Sequence, residues 1–94
     1  MLELNVVGTG LARLRGRFDA AESDRALATL ETLSGPLTLD CAELEYISSA
    51  GISVIMQTYK RLLSAGSGLS LVNMTPRVRN VFAYAGLDRI LDIK

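Results

Sequence analysis

Two serines carry most of the chemistry this sequence offers. Ser48 and Ser49 lie in the run Tyr46-Ile47-Ser48-Ser49-Ala50-Gly51-Ile52, between a short apolar stretch and the longest amphipathic segment of the chain. In an α/β sheet, ligands and modifications gather beyond the carboxyl ends of the strands, where such a junction falls. Free backbone N–H groups and the positive end of the helix dipole favour an anion there. A phosphoryl group on either hydroxyl gains that stabilisation and adds about −1.5 to −2 charges to a neutral or apolar surface. A plainer role fits the same residues. Serine is an ordinary N-cap, and Ala-Gly is an ordinary small-residue start to a helix. The spacing alone leaves both roles open.

Other chemistry is poorly supplied. The chain has no histidine and no tryptophan, which excludes a histidine general acid–base pair, a Ser-His-Asp triad and most zinc sites. No Walker-type loop or GxGxxG run is present. The expectation is therefore no catalytic residue, no cofactor and no metal. Asp19 and Asp40 are too few to define a metal site. Cys41 is the one cysteine, so no internal disulfide forms, and its place after an apolar stretch predicts a packed thiol. Ten basic and ten acidic residues cancel, which gives no long-range attraction for nucleic acid or anionic lipid. No apolar run approaches the roughly 20 residues that span a bilayer. The opening MLELNVVGTG lacks a basic segment followed by an apolar one. The cytoplasm is the expected location, with no direct membrane insertion.

The elements that must position the serines follow from periodicity. Leu2, Leu4 and Val6 alternate with Glu3, Asn5 and Val7 as a first strand, and Gly8-Thr9-Gly10 turns into a second over Leu11 to Arg17. Arg13, Arg15 and Arg17 share one face of that strand, either as a solvated, edge-protecting face or as a contact patch for an acidic partner. A helix is predicted from about Ala20 to Leu33, capped by Asp19 or Ser23 and ended by Ser34-Gly35-Pro36. Leu37 to Cys41 reads as a third strand, and Ala42 to Ser49 as a loop anchored by Tyr46 and Ile47. A second helix spans about Gly51 to Ala65, with Ile52, Ile55, Met56, Tyr59, Leu62 and Leu63 as its apolar face. Leu69 to Asn73 is a fourth strand. Thr75 caps a helix over Pro76 to Ala85, and Ile90 to Ile93 closes the chain as a short strand. The class is α/β, one domain over residues 1–94, in the order ββαβαβαβ. The expected sheet is mixed and mostly parallel, of 4–5 strands, with helices packed mainly on one face.

Four segments, in order and nearly end to end, resemble the STAS domain family, which includes bacterial anti-sigma factor antagonists. Leu14-Arg15-Gly16-Arg17-Phe18-Asp19-Ala20 resembles the family's Gly-x-Leu-Asp strand end. Leu37-Thr38-Leu39-Asp40 resembles its strand ending in Asp, and Tyr46 to Ile52 its phosphorylation loop. Leu69 to Asn73, Pro76 to Phe82 and Ala85-Gly86-Leu87 resemble its closing strand and helix.

The resemblance implies a partner switch. The unphosphorylated form binds a serine kinase that doubles as an anti-sigma factor, and a sigma factor is released. Phosphorylation of the loop serine ends the complex, and a PP2C-like phosphatase resets it. One form of the motif, Asp-Ser-Ser-Gly, has its acceptor directly before the glycine, where this chain has Ala50. The Ser-Ser-Ala-Gly form points to Ser49, with Ser48 as second choice. The resemblance also implies that Asp19 and Asp40, at the same end of the sheet as Ser49, orient the loop or touch the kinase. Helix capping for Asp19 and a hydrogen-bonded strand end for Asp40 are the structural alternatives. Tyr46, Ile47, Ala50, Gly51 and Ile52 complete the expected binding surface. A second implied role is a non-phosphorylated subunit docked on an ABC-type lipid or solute transport complex.

Overall fold

The computed structural model describes residues 1–94. Five strands form one sheet in the order β1-β2-β3-β4-β5. β1 (Leu2–Gly8) and β2 (Leu11–Phe18) form an antiparallel hairpin. β3 (Leu37–Ile47), β4 (Leu69–Val72) and β5 (Asp92–Ile93) add in parallel. The connections are α1 (Ser23–Leu30), α2 (Ser49–Ser64) and α3 (Pro76–Tyr84). Successive strands are neighbours, so right-handed crossovers stack all three helices on one face. Burial on β2 agrees: Ala12, Leu14 and Phe18 are inside, while Arg13, Arg15 and Arg17 face solvent. The core is one cluster of 19 buried residues, with Phe18 and Phe82 its largest side chains. The expected order, mixed sheet and one-sided helix layer all hold.

Several boundaries differ from the sequence reading. The longest correction is β3, which runs on through Ala42–Ile47 where a loop was expected. Alternating burial at Leu37, Leu39 and Cys41 gives way to a spacing of three at Leu44 and Ile47. Two bulges explain the change. Arg13 to Arg15 on β2 faces Asp40 to Glu43, and Gly16 to Arg17 faces Leu44 to Tyr46. Each bulge adds a residue to β3 and resets its face, so Leu44 lands opposite Gly16 and Ile47 opposite Phe18.

The first helix begins as a 3₁₀ turn over Ala20–Glu22, and α1 then stops at Leu30, short of Leu33. Neither expected cap forms. Asp19 makes no side-chain cap bond, and the Ser23 hydroxyl donates to the Ala20 carbonyl at 2.8 Å. The buried face of α2 is Gly51, Val54, Ile55, Thr58 and Leu62, whereas Leu63 is 55% exposed. Thr58 enters this apolar face because its hydroxyl donates back to the Val54 carbonyl at 2.9 Å, so no polar atom is stranded. The Thr75 cap and Pro76 start of α3 stand as expected, with the Val78 amide donating to Thr75 Oγ1 at 3.4 Å. A 3₁₀ turn at Leu87–Arg89 precedes the last strand, and β5 covers only Asp92–Ile93 of the expected Ile90 to Ile93.

Candidate functional site

The serine loop is tied down from both sides. Ser48 is the N-cap of α2 in an extended conformation, and its Oγ accepts from the Gly51 amide at 3.2 Å. Its own amide donates to the Phe18 carbonyl at the end of β2, at 2.9 Å. Ser49 is the first helical residue and is exposed. The amides of Ser49 and Ala50, in the first turn, have no partner within the helix, because an α-helix leaves its first N–H groups unpaired. A helix of 16 residues projects its positive dipole end at this point. The two serines thus divide the work: one hydroxyl is spent on capping and the other faces water.

Gly51 lets α2 sit this close to the sheet. A Cβ built there would lie 2.8 Å from the Phe18 carbonyl oxygen, 2.8 Å from Ile47 Cγ1 and 3.0 Å from Phe18 Cδ1. Those separations are well inside ordinary contact distance. Ile47 is 3% exposed and closes the core under the loop, so it anchors the serines and is no partner contact. Ala50 and Ile52 are half-buried. Ile52 and Met56 pack against the core, so no broad apolar patch flanks Ser49 on this side. Tyr46 is 38% exposed on the open face of the sheet, with the Arg17 guanidinium 4.3 Å from its ring centroid.

The two acids separate. Asp19 directly follows Phe18, beside the loop, and its Oδ1 is buried without a hydrogen-bond partner. Asp40 lies seven residues before Ile47, about 20 Å along the strand, well short of the end that carries Ser49. The expected common position therefore fails for Asp40, because β3 does not end there. Its carboxylate accepts from the Ala42 amide at 3.1 Å and from Asn73 Nδ2 at 3.2 Å, with Arg13 at 3.5 Å. The Ala42 and Asn73 bonds, in that order, hold its pKa below the ordinary carboxylate value despite some desolvation. Asp40 thus serves as a hydrogen-bonded mid-strand residue.

A shallow depression of about 450 Å³ lies on the open sheet face, lined in part by Arg13, Arg15, Asp40 and Glu43. Its charges already pair with one another, and Ser48 and Ser49 line none of the three main depressions. The serine loop is a presented surface rather than an enclosing one. Cys41 is fully buried, and burial, with Asp40 next in effect, pushes its thiol up to about 12.

The family model described as "Mlab, STAS domain" matches residues 8–92. A protein named putative anti-sigma factor antagonist BtrV, from Bordetella bronchiseptica, is 31% identical over 90 residues, covering 92% of this chain and 78% of the relative. The anti-sigma-B factor antagonist of Listeria monocytogenes is 29% identical over 83 residues, covering 84% and 73%. Among solved structures, the anti-sigma factor antagonist SpoIIAA in its unphosphorylated form superposes with a TM-score of 0.78 at 20% identity, covering 100% of this chain and 88% of the other. Its phosphorylated form gives a TM-score of 0.72 at 19% identity, covering 100% and 91%.

Proposed function

The chain belongs to the STAS domain family, and from that premise we propose that it is an anti-sigma factor antagonist switched by phosphorylation of Ser49. In its unmodified state it docks on an anti-sigma factor serine kinase, and the sigma factor is set free. The kinase transfers the γ-phosphoryl group of ATP to Ser49 Oγ: the bond from the γ-phosphorus to the bridging oxygen breaks, ADP leaves, and the hydroxyl proton goes to a base. A PP2C-like phosphatase returns the serine to its starting state.

The observation that carries this reading is the division of labour in the loop. Ser49 exposes its residue at the first position of α2, while Ser48 Oγ is committed to the Gly51 amide. A phosphate on Ser49 sits where the helix dipole and the unpaired first-turn amides favour an anion, so the modified loop keeps its fold. The same dianion at a packed interface costs desolvation and repels nearby partner carboxylates. Modification therefore acts on binding and not on folding. Asp19 makes no side-chain hydrogen bond that would hold the loop, so its role in this reading is contact with the kinase.

Incubation with the cognate kinase and ATP is expected to add one phosphate by mass. Ser49→Ala abolishes the addition and Ser48→Ala retains it. A chain left unmodified by a kinase that it binds refutes the switch.

A further inference from the structure

The open face of the sheet carries a ladder of three cross-strand pairs between β2 and β3. Register places Arg13 opposite Asp40, Arg15 opposite Glu43 and Arg17 opposite Tyr46. The first two arginines are neutralised: Arg13 Nε lies 3.5 Å from Asp40, and Arg15 lies 3.1 Å from Glu43 and 3.8 Å from Glu3. The third rung breaks the pattern. Arg17 has no carboxylate within ion-pair distance and meets an aromatic ring instead, 4.3 Å from its centroid. The rung with the uncompensated charge also abuts the serine loop, since Phe18, the next residue, binds the Ser48 amide through its carbonyl.

We propose that Arg17, held on Tyr46, is a docking point for a carboxylate on an acidic surface of the partner that binds beside Ser49. The inference rests on the switch reading and adds to it the residue that selects the partner by charge. Three physical features agree. The cation is unpaired in the free protein, so a partner carboxylate completes it without displacing another acid. The Tyr46 ring restrains the long side chain and lowers the entropy lost on docking. Arginine and tyrosine are the residue types that concentrate binding energy at interfaces, and a guanidinium takes a carboxylate by two parallel N–H···O bonds. Arg13 and Arg15, already paired, contribute little, so the three-arginine face reduces to one active position.

The test is surface plasmon resonance against the purified anti-sigma kinase that phosphorylates Ser49, at low and high salt. Arg17→Gln is expected to weaken binding about tenfold and to flatten its salt dependence. Arg17→Glu weakens it roughly a hundredfold, and one acidic-to-lysine substitution on the kinase surface restores it. Tyr46→Ala gives a smaller loss. Arg15→Gln stays within about twofold, because its charge is already paired on this chain. Urea midpoints establish that each variant is folded, and Arg17→Gln with Arg17→Lys carries the test should Arg17→Glu be destabilised. Wild-type affinity lost in Ser49→Asp but unchanged in every Arg17 variant overturns the docking point and leaves the switch standing. A wild-type chain that does not bind the kinase overturns both.

Discussion

Replacing Gly51 with alanine should destabilise the protein, against the ordinary preference of helices for alanine. In an open helical position, Gly→Ala stabilises by up to about 1 kcal/mol. At Gly51 the new methyl group meets the Phe18 carbonyl oxygen at 2.8 Å and Ile47 Cγ1 at 2.8 Å. Comfortable contact begins near 3.5 Å, so the amino end of α2 must retreat by about 0.5 Å or more. The strand end cannot yield freely, because Phe18 and Ile47 are both buried and paired across β2 and β3. Overpacking of this kind costs about 1–3 kcal/mol. Set against the propensity gain, the net loss is centred on about 1 kcal/mol, or a fall in melting temperature of roughly 4–8 °C for a domain of this size. The retreat also strains the bond of 2.9 Å between the Ser48 amide and the Phe18 carbonyl, which fixes the height of the loop. In the switch reading, kinase affinity should also fall, because the loop that carries Ser49 is displaced. Urea denaturation measures the first effect, with the midpoint lowered and the slope unchanged. A Gly51→Ala variant as stable as wild type, or more stable, refutes the close approach of α2 to the sheet.

Three further outcomes follow from the same geometry. Ser48→Ala removes the N-cap of α2 and should cost about 1 kcal/mol in urea denaturation, whereas Ser49→Ala leaves stability within about 0.5 kcal/mol. Cys41, buried and with its thiol pushed up to about 12, should resist iodoacetamide in the native state and react only as the chain unfolds, as a mass time-course in increasing urea will report. Glu22 is held below its ordinary value of 4.5 by its hydrogen bond to Arg25 and then by the Leu2 amide. Its contribution is therefore present above pH 4.5 and is lost as pH falls through the lowered folded value. Glu22→Gln should lower the urea midpoint at neutral pH and make it fall less steeply on acidification.

Much of the fold could be read directly from the sequence. Thr75-Pro76 marked the start of α3, because a capping hydroxyl followed by proline has few other uses. Alternation marked β1, β2 and the first half of β3. It failed at Ala42, because two bulges change the spacing of buried residues from two to three, and no local signal announces a bulge fixed by the partner strand. That failure displaced Asp40, which was expected at a strand end and lies mid-strand. It also hid the Arg17–Tyr46 pair, since their register depends on both bulges. The serine loop itself was legible as a whole. The assignment of Ser48 as cap and Ser49 as the exposed hydroxyl required the helix start, which lies two residues before the expected Gly51. Leu63 was placed on the buried face by its spacing, but Val54 and Thr58 set the true direction of α2.

On the proposed switch, a dianion on Ser49 turns docking off while leaving the fold intact. Isothermal titration calorimetry of the purified kinase with the unmodified chain, and with the chain stoichiometrically phosphorylated on Ser49, separates the two effects. The expected result is a loss of about a thousandfold in affinity, equivalent to about 4 kcal/mol, at an unchanged urea midpoint. Equal affinity for the two forms, or a phosphorylated chain that loses binding only because it has unfolded, contradicts it.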